Sequence, residues 1–427
     1  MNGNEMYELA RELFPIGRSL TGKGVRKTLQ IMKRELPELM IYEVPSGTKA
    51  FDWTVPKEWD IREGYIEDEE GTRIVDYNDL NLHVVGYSCP VDRVVDLDEL
   101  KQYIYVQSGQ PDAVPYVTSY YKERFGFCMS EKQKEQLKPG KYHMYIDSEL
   151  FDGNLTYGEL IIPGREKKEI LISTYVCHPS MANNELSGPV LATALAKAIS
   201  EQKDRRYTYR FVWIPETIGS ITYLSKHITE MKQNTIAGFV LSCVGDNRTY
   251  SYVPSRKGDT LADRVVKNVL QFHYPEYKKY TFLNRGSDER QYNAPGVDLP
   301  VCVMCRSKYG EYPEYHTSLD NMDVISPEGL QGAYDAYMSV FEALEFNSYY
   351  RIKCLCEPQL GKRGLYPNVS QKGVYSEVKS MVDFIAYADG DTDLIDISNI
   401  IGVPVKYLVP IIDKLMKADL LECIDEK

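Results

Sequence analysis

An α/β fold with a mostly parallel sheet flanked by helices is predicted for residues 151–348 by three observations. Short apolar runs such as residues 169–174 (EILIST) alternate with helix-length segments such as residues 188–199 (GPVLATALAKAI). The alternation repeats, with strands expected at 169–174, 209–214 and 237–241 and helices at 188–199 and 218–231. A polar residue of chemical interest follows each run: His178, then Glu216, then Asp246. Repeated β-α alternation demands parallel strands with helices on both faces. In such sheets ligands bind beyond the carboxyl ends of the strands, where these three residues fall.

The other elements follow in chain order. Residues 5–35 read as helical, with a break at 15–17 (PIG) and with Leu29, Met32 and Leu36 at helical spacing. Residues 61–150 change character. Short β-rich pieces at 82–85 and 103–106 alternate with Pro and Gly turns. This predicts a β-rich domain inserted into a first domain made of residues 1–60 and 151–348. A third unit is expected at 371–427. There Val374, Val378, Met381, Val382 and Ile385 form a helical face, and segments 397–401, 405–415 and 420–424 complete a winged-helix pattern.

Composition bounds the function. A chain of 427 residues exceeds one ordinary domain. Hydrophobic residues at 43% and charged residues at 26% fit a globular protein. The formal net charge of -12 disfavours nucleic acid and anionic membrane surfaces. The third unit holds six Lys, no Arg and eleven Asp or Glu, the wrong sign for tracking phosphates. Protein contact or self-association is the role expected of it. The first residues (MNGNE) carry neither a basic start nor an apolar core, and no apolar run reaches about 18 residues. No secretory signal and no membrane span are therefore expected. Nine scattered Cys fit reduced thiols in a cytoplasm better than a disulfide framework. Cys302 and Cys305 form a C-x-x-C without a second pair at matching spacing, which is weak evidence for a metal. Tyr is abundant, with 34 residues against 12 Phe, and suits polar clefts.

The six His can be weighed one by one. His178 stands where a buried strand exits into a turn, a position that holds a neutral imidazole rigidly for a metal or for a hydrogen bond. Residues 183–188 (NNELSG) open the next helix, where Asn183, Asn184 and Glu185 suit capping and the helix dipole as well as ligation. Glu216 follows an apolar strand and suits proton transfer next to a metal. His316 lies in a polar loop, YHTSLD at 315–320. The remaining His have no comparable neighbours.

Taken in order, these segments resemble the zinc aminopeptidases and glutaminyl cyclases of the co-catalytic exopeptidase superfamily. The resemblance covers residues 1–60 and about 155–348. His178 matches the first metal His, 184–188 (NELSG) the Asp-x-x-Ser-Gly motif, Glu216 the general base and His316 the last metal His. The chain departs from the pattern in its carboxylates. Asn184 replaces the bridging Asp, Thr217 a second Glu ligand, and Ser242 or Cys243 the third-strand Asp, while Ser180 stands two after the first His. More narrowly, the chain resembles a bacterial aminopeptidase-like group with an inserted β-rich domain and a C-terminal winged helix, often found with polysaccharide-biosynthesis genes. Motifs 18–26 (RSLTGKGVR) and 86–92 (GYSCPVD) carry that part of the resemblance.

The resemblance implies a zinc exopeptidase-like domain and a zinc-dependent hydrolase cleaving an amide bond of a peptide or amino-acylated small substrate. One zinc is favoured over two, because uncharged Asn184 bridges two cations poorly. His178, His316 and a carboxylate are the expected ligands, with Glu185 as first choice and Asp246 as second. Glu216 is the expected catalytic proton shuttle. Asp288, Glu311 or Glu314 are candidates for pairing a substrate amine, and Tyr309, Tyr312 and Tyr315 for lining the cleft. The alternative is a degenerate peptidase scaffold serving as a binding or regulatory protein in polysaccharide biosynthesis. Metal content separates the two.

Overall fold

A computed structural model describes residues 1–120, 122–365 and 375–424. Its centre is an eight-stranded mixed sheet. In spatial order the strands are Met40–Pro45, Asn154–Ile162, Thr208–Ile214, Glu169–Tyr175, Thr235–Leu241, Val301–Cys305, Ser251–Val253 and Lys278–Lys279. The four strands from Thr208–Ile214 to Val301–Cys305 run parallel, and antiparallel neighbours flank them. Glu169–Tyr175 and Thr208–Ile214 are buried along their whole length, which is why both read as unbroken runs. A charge pair hides within them. Arg210 is buried but held by both Glu169 oxygens at 2.8 Å and by Glu159 at 3.1 Å, so the sheet interior carries a paired cation.

Helices Gly3–Leu13, Lys23–Glu35, Ser187–Glu201, Ile218–Asn234, Leu261–His273 and Pro327–Phe346 cover the sheet. The expected break at 15–17 separates the first two. Gly188 opens Ser187–Glu201 where the helix meets the sheet. A Cβ there would lie 2.4 Å from both the Leu241 carbonyl oxygen and Thr174 Oγ1. Gly→Ala inside a helix ordinarily gains up to about 1 kcal/mol. Gly188→Ala is expected instead to lose about 1–3 kcal/mol by overpacking, read as a lowered urea midpoint; unchanged or raised stability would refute this close approach.

Between the first and second sheet strands the chain builds a separate antiparallel sheet, in the order Arg73–Asp76, Glu58–Asp68, Lys141–Phe151, Val91–Asp96. It packs on its own apolar cluster, including Ile66, Met144, Ile146 and Phe127. The β pieces expected at 82–85 and 103–106 are not its body. Residues Asn81–His83 form a 3₁₀ turn and Ile104–Tyr105 a two-residue strand. Apolar runs signalled burial there, and burial does not require a strand. The long strand Glu58–Asp68 leaves no alternating pattern in the sequence because it carries charges on both faces.

At the C-terminus, helices Tyr375–Tyr387, Leu394–Ile401 and Val405–Lys417 join a three-stranded sheet of Asp389–Asp393, Tyr349–Ile352 and Leu421–Ile424, a winged helix-turn-helix. Val374 of the expected helical face lies outside the described residues. This unit is pinned to the body by Arg264, 2.8 Å from Asp393 and Asp396, and by Asn268, 2.8 Å from Ser398 and Asn399. Among the described residues no single helix is long and apolar enough to cross a membrane. All nine cysteines are free thiols, and Cys302 and Cys305 are buried in a sheet strand.

Candidate active site

The carboxyl ends of the central strands converge on a cavity of about 310 Å³, lined by Cys177, His178, Glu216, Thr217 and His316 from the body and by Trp53, Tyr116, Thr118 and Tyr120 from the segments above. His178 leaves the strand Glu169–Tyr175 and is held from behind. Its carbonyl accepts from Arg18 Nε at 2.9 Å, and its Nδ1 lies 2.8 Å from Glu185 Oε2. Arg18 Nε stands 3.9 Å from Glu185 Oε1, and both side chains are fully enclosed. Burial raises the Glu185 carboxyl above its ordinary range, and Arg18 opposes that rise. A buried guanidinium keeps its proton and needs an anion. We therefore assign Glu185 as the carboxylate and Nδ1 of His178 as the protonated nitrogen, which leaves Nε2 free toward the cavity.

Nε2 of His178 is 3.6 Å from Glu216 Oε2. The His316 ring lies 5.4 Å from the His178 ring, centre to centre. Burial lowers both imidazoles to about 3, with Arg18 the next cause at His178 and His178 the next cause at His316, so both are neutral at pH 7. Glu216 keeps 21% of its side chain exposed, on the cavity side. Its carboxyl is pushed up, first by burial and then by the charge of Asp288.

Backbone strain gathers here. Ser180, Thr217, Cys243 and His316 all have positive φ, at 42°, 64°, 54° and 57°. Side chains pay for such conformations only where neighbours fix them. Asp288 Oδ1 fixes Thr217 by accepting from its N–H and from Ser220 Oγ, both at 2.7 Å. Asp320 accepts the N–H groups of Asn183 and Asn184 at 2.7 and 2.9 Å, ordering the turn that carries Glu185. From above, the His316 carbonyl accepts from Tyr116 N–H at 2.9 Å, and the Val114 carbonyl from Ser318 N–H at 2.8 Å. Val114 and Tyr116 are thereby tied to the loop that carries His316.

The structure brings His178, Glu185, Glu216 and His316 together. Glu185, though, meets His178 on its Nδ1 side, away from the cavity. Tyr315 stacks on the His316 ring at 3.9 Å. Asp288 stands behind Glu216, with one oxygen engaged by the strained turn. Asp246 does not line the cavity. Its oxygens accept from Asn183 Nδ2, Arg248 N and both Ser307 donors at 2.8–3.0 Å. Tyr309 donates to Glu289 at 2.5 Å, Tyr312 to Asp320 at 2.9 Å, and Glu314 pairs with Arg248 at 2.8 Å, all outside the cavity lining. Glu311 is exposed, with Lys308 at 4.0 Å.

Arg18, Tyr116, Tyr120 and Tyr175 were not assigned roles from sequence. Only Arg18 left a trace, in the 18–26 motif. Tyr175 matters most for metal chemistry. Its hydroxyl donates to Asn184 Oδ1 at 3.2 Å and hydrogen-bonds Ser242 Oγ, so it fills the space between two positions where the resemblance expects carboxylates. One three-residue group among the described residues has ligand atoms close enough for a metal, Cys177, His178 and Glu185. Arg18 beside Glu185 opposes a cation there.

Comparison with known proteins agrees with this architecture. The profile of a domain of unknown function, DUF4910, matches residues 7–347, and that of a winged helix-turn-helix matches residues 347–423. A Clostridium acetobutylicum protein, provisionally named a polysaccharide biosynthesis protein with an aminopeptidase-like domain, is 44% identical over 424 residues, 99% of this chain and 97% of its own length. A crystal structure from the same organism, provisionally assigned as a peptidase, superposes with a TM-score of 0.93 at 43% identity, covering 99% of this chain and 96% of that one. The zinc aminopeptidase BSAP of Bacillus subtilis shares the fold at a TM-score of 0.59 and 12% identity, covering 80% of this chain and 95% of its own.

Proposed function

Because the chain belongs to the DUF4910 family, on an aminopeptidase-like scaffold extended by a winged helix-turn-helix, we propose that it is a cytoplasmic hydrolase that cleaves an amide bond of a peptide or amino-acylated small molecule. The observation that carries this reading is the facing of His178 Nε2 and Glu216 across 3.6 Å, with His316 on the same cavity.

The donor set suits one zinc and not two. His178 is buried and His316 half-buried, and both are neutral and line the cavity, since metal-binding imidazoles must be deprotonated. The places that would complete a second ion are Asn184, Thr217 and Ser242, with the Tyr175 hydroxyl between two of them. His178 and His316 would hold the ion, and Glu185 orients His178 through Nδ1 as an outer partner. Bound there, zinc would polarise the substrate carbonyl. Glu216 accepts the proton of the attacking water and delivers it to the leaving amine. The insert segment 113–120 excludes bulk water from this exchange.

Two protein donors bind zinc less tightly than the usual three. Titration is therefore the decisive measurement. The wild-type chain is expected to take up one zinc, and His178→Ala or His316→Ala to weaken uptake by at least about tenfold, with unchanged circular dichroism. Two equivalents bound, or full affinity in either variant, would overturn this site.

A second reading has its own observation. The Tyr175 wedge and the Arg18–Glu185 pair are what a scaffold that has lost its metal would keep. A chain that takes up no zinc supports this binding role. The winged helix suits protein contact in either case, since its acidic charge repels phosphates.

A further inference from the structure

We infer that the substrate cleft has two compartments, and that the outer one takes an anionic group carried on the amine side of the amide. The inference builds on the hydrolase reading for the inner compartment.

The inner compartment is the cavity of about 310 Å³ beside His178 and Glu216. A water-sized group fills about 30 Å³, so it holds on the order of ten non-hydrogen atoms, enough for an aminoacyl unit. Among the described residues no Lys or Arg lines it. A second cavity of about 270 Å³ adjoins it, lined by Pro56, Lys57, Tyr87, Tyr120, Lys122 and Glu123 among others. The same two segments wall both spaces. Residues 53–57 run along one side and Thr118, Ser119, Tyr120, Lys122 and Glu123 along the other, with Tyr120 common to both cavities.

This partition is firmly built. Tyr120 shares a 2.7 Å hydrogen bond with Tyr116 and meets the Tyr87 ring edge-on at 5.2 Å. Tyr87 stacks on Trp59 at 5.7 Å, and its hydroxyl lies 2.6 Å from Thr21 Oγ1. A floor of interlocked aromatic rings keeps its shape when a ligand enters, which lowers the cost of binding.

Charge decides what the outer space accepts. Among the described residues its rim carries exposed Lys57 and Lys122 against one carboxylate, Glu123. That is a local excess of one positive charge on a chain of net -12. The inner space presents the carboxyl of Glu216 instead. A substrate that reaches from one to the other is therefore asymmetric. Its acyl end is uncharged or cationic, and its amine end bears a carboxylate or a phosphate.

Three amides that differ only at the amine end test this: alanyl-ethanolamine, alanyl-β-alanine and alanyl-ethanolamine phosphate. In the wild-type chain kcat/KM is expected to be at least about tenfold higher for one anionic probe than for the neutral one, and the advantage to shrink at high salt. Which anion wins separates a carboxylate from a phosphate ligand. In Lys57→Met/Lys122→Met the ratio should fall toward one. If no probe is cleaved, the hydrolase reading fails, and the same ratio is measured as affinity by calorimetry. Equal handling of neutral and anionic probes by the wild type, or a ratio that survives the double substitution, would overturn the outer compartment.

Discussion

Glu216→Gln is expected to lower amide hydrolysis by about a hundredfold or more while leaving zinc uptake near that of the wild type. The substitution keeps the shape and the hydrogen-bonding capacity of the side chain. It removes the carboxyl group that faces His178 across the cavity. Stability gives an independent check. The Glu216 carboxyl is raised by burial and by Asp288, so the folded chain binds this proton more tightly than the unfolded chain does. Such a group costs stability as pH climbs from the ordinary Glu value of about 4.3 toward the raised one. A permanently neutral Gln escapes that cost. The variant should therefore melt no lower than wild type at neutral pH, and its melting temperature should fall less between pH 5 and pH 7. Hydrolysis retained within a few-fold would remove Glu216 from the chemistry. Lost activity with a collapsed melting temperature would make it structural.

Arg18→Met is expected to cost about 3–5 kcal/mol in urea denaturation, because it strands a carboxylate. Arg18 is fully enclosed and donates to the carbonyls of His178 and Leu13 at 2.9 and 2.8 Å. Its loss leaves the enclosed Glu185 without a cationic neighbour, with His178 Nδ1 as its side-chain partner. Glu185 must then take up a proton, and the tautomer of His178 is no longer fixed. Zinc uptake should weaken along with stability, although Arg18 does not line the cavity. Arg18→Met/Glu185→Gln is expected to regain part of the stability, since the double substitution removes both charges together. A cost below about 1 kcal/mol in the single variant would mean that the pair is not held as described.

The sequence alone determined the scaffold. Strands such as Glu169–Tyr175 and Thr208–Ile214 are buried on both faces, so their burial is written as uninterrupted apolar runs. The turn chemistry that follows them placed His178, Glu216 and His316 in an order that matched a known fold. The C-terminal winged helix was legible for the same reason, because Leu394–Ile401 and Val405–Lys417 bury regular faces. The tertiary structure decided which side of each ligand faces the cavity. Glu185 lies seven residues from His178 and could be read as a metal ligand, but its contact with Nδ1 and its pairing with Arg18, far away in the chain, set it behind the ring. Asp246 follows its strand as a ligand would, yet Ser307 and Asn183 occupy its oxygens. The tyrosines over the cavity, Tyr116 and Tyr120, lie outside regular strands, in a stretch with no periodic signal to mark them. Periodicity reports the burial of a segment against its own sheet. Contacts between residues a hundred positions apart depend on how separate layers dock, and no local pattern encodes that.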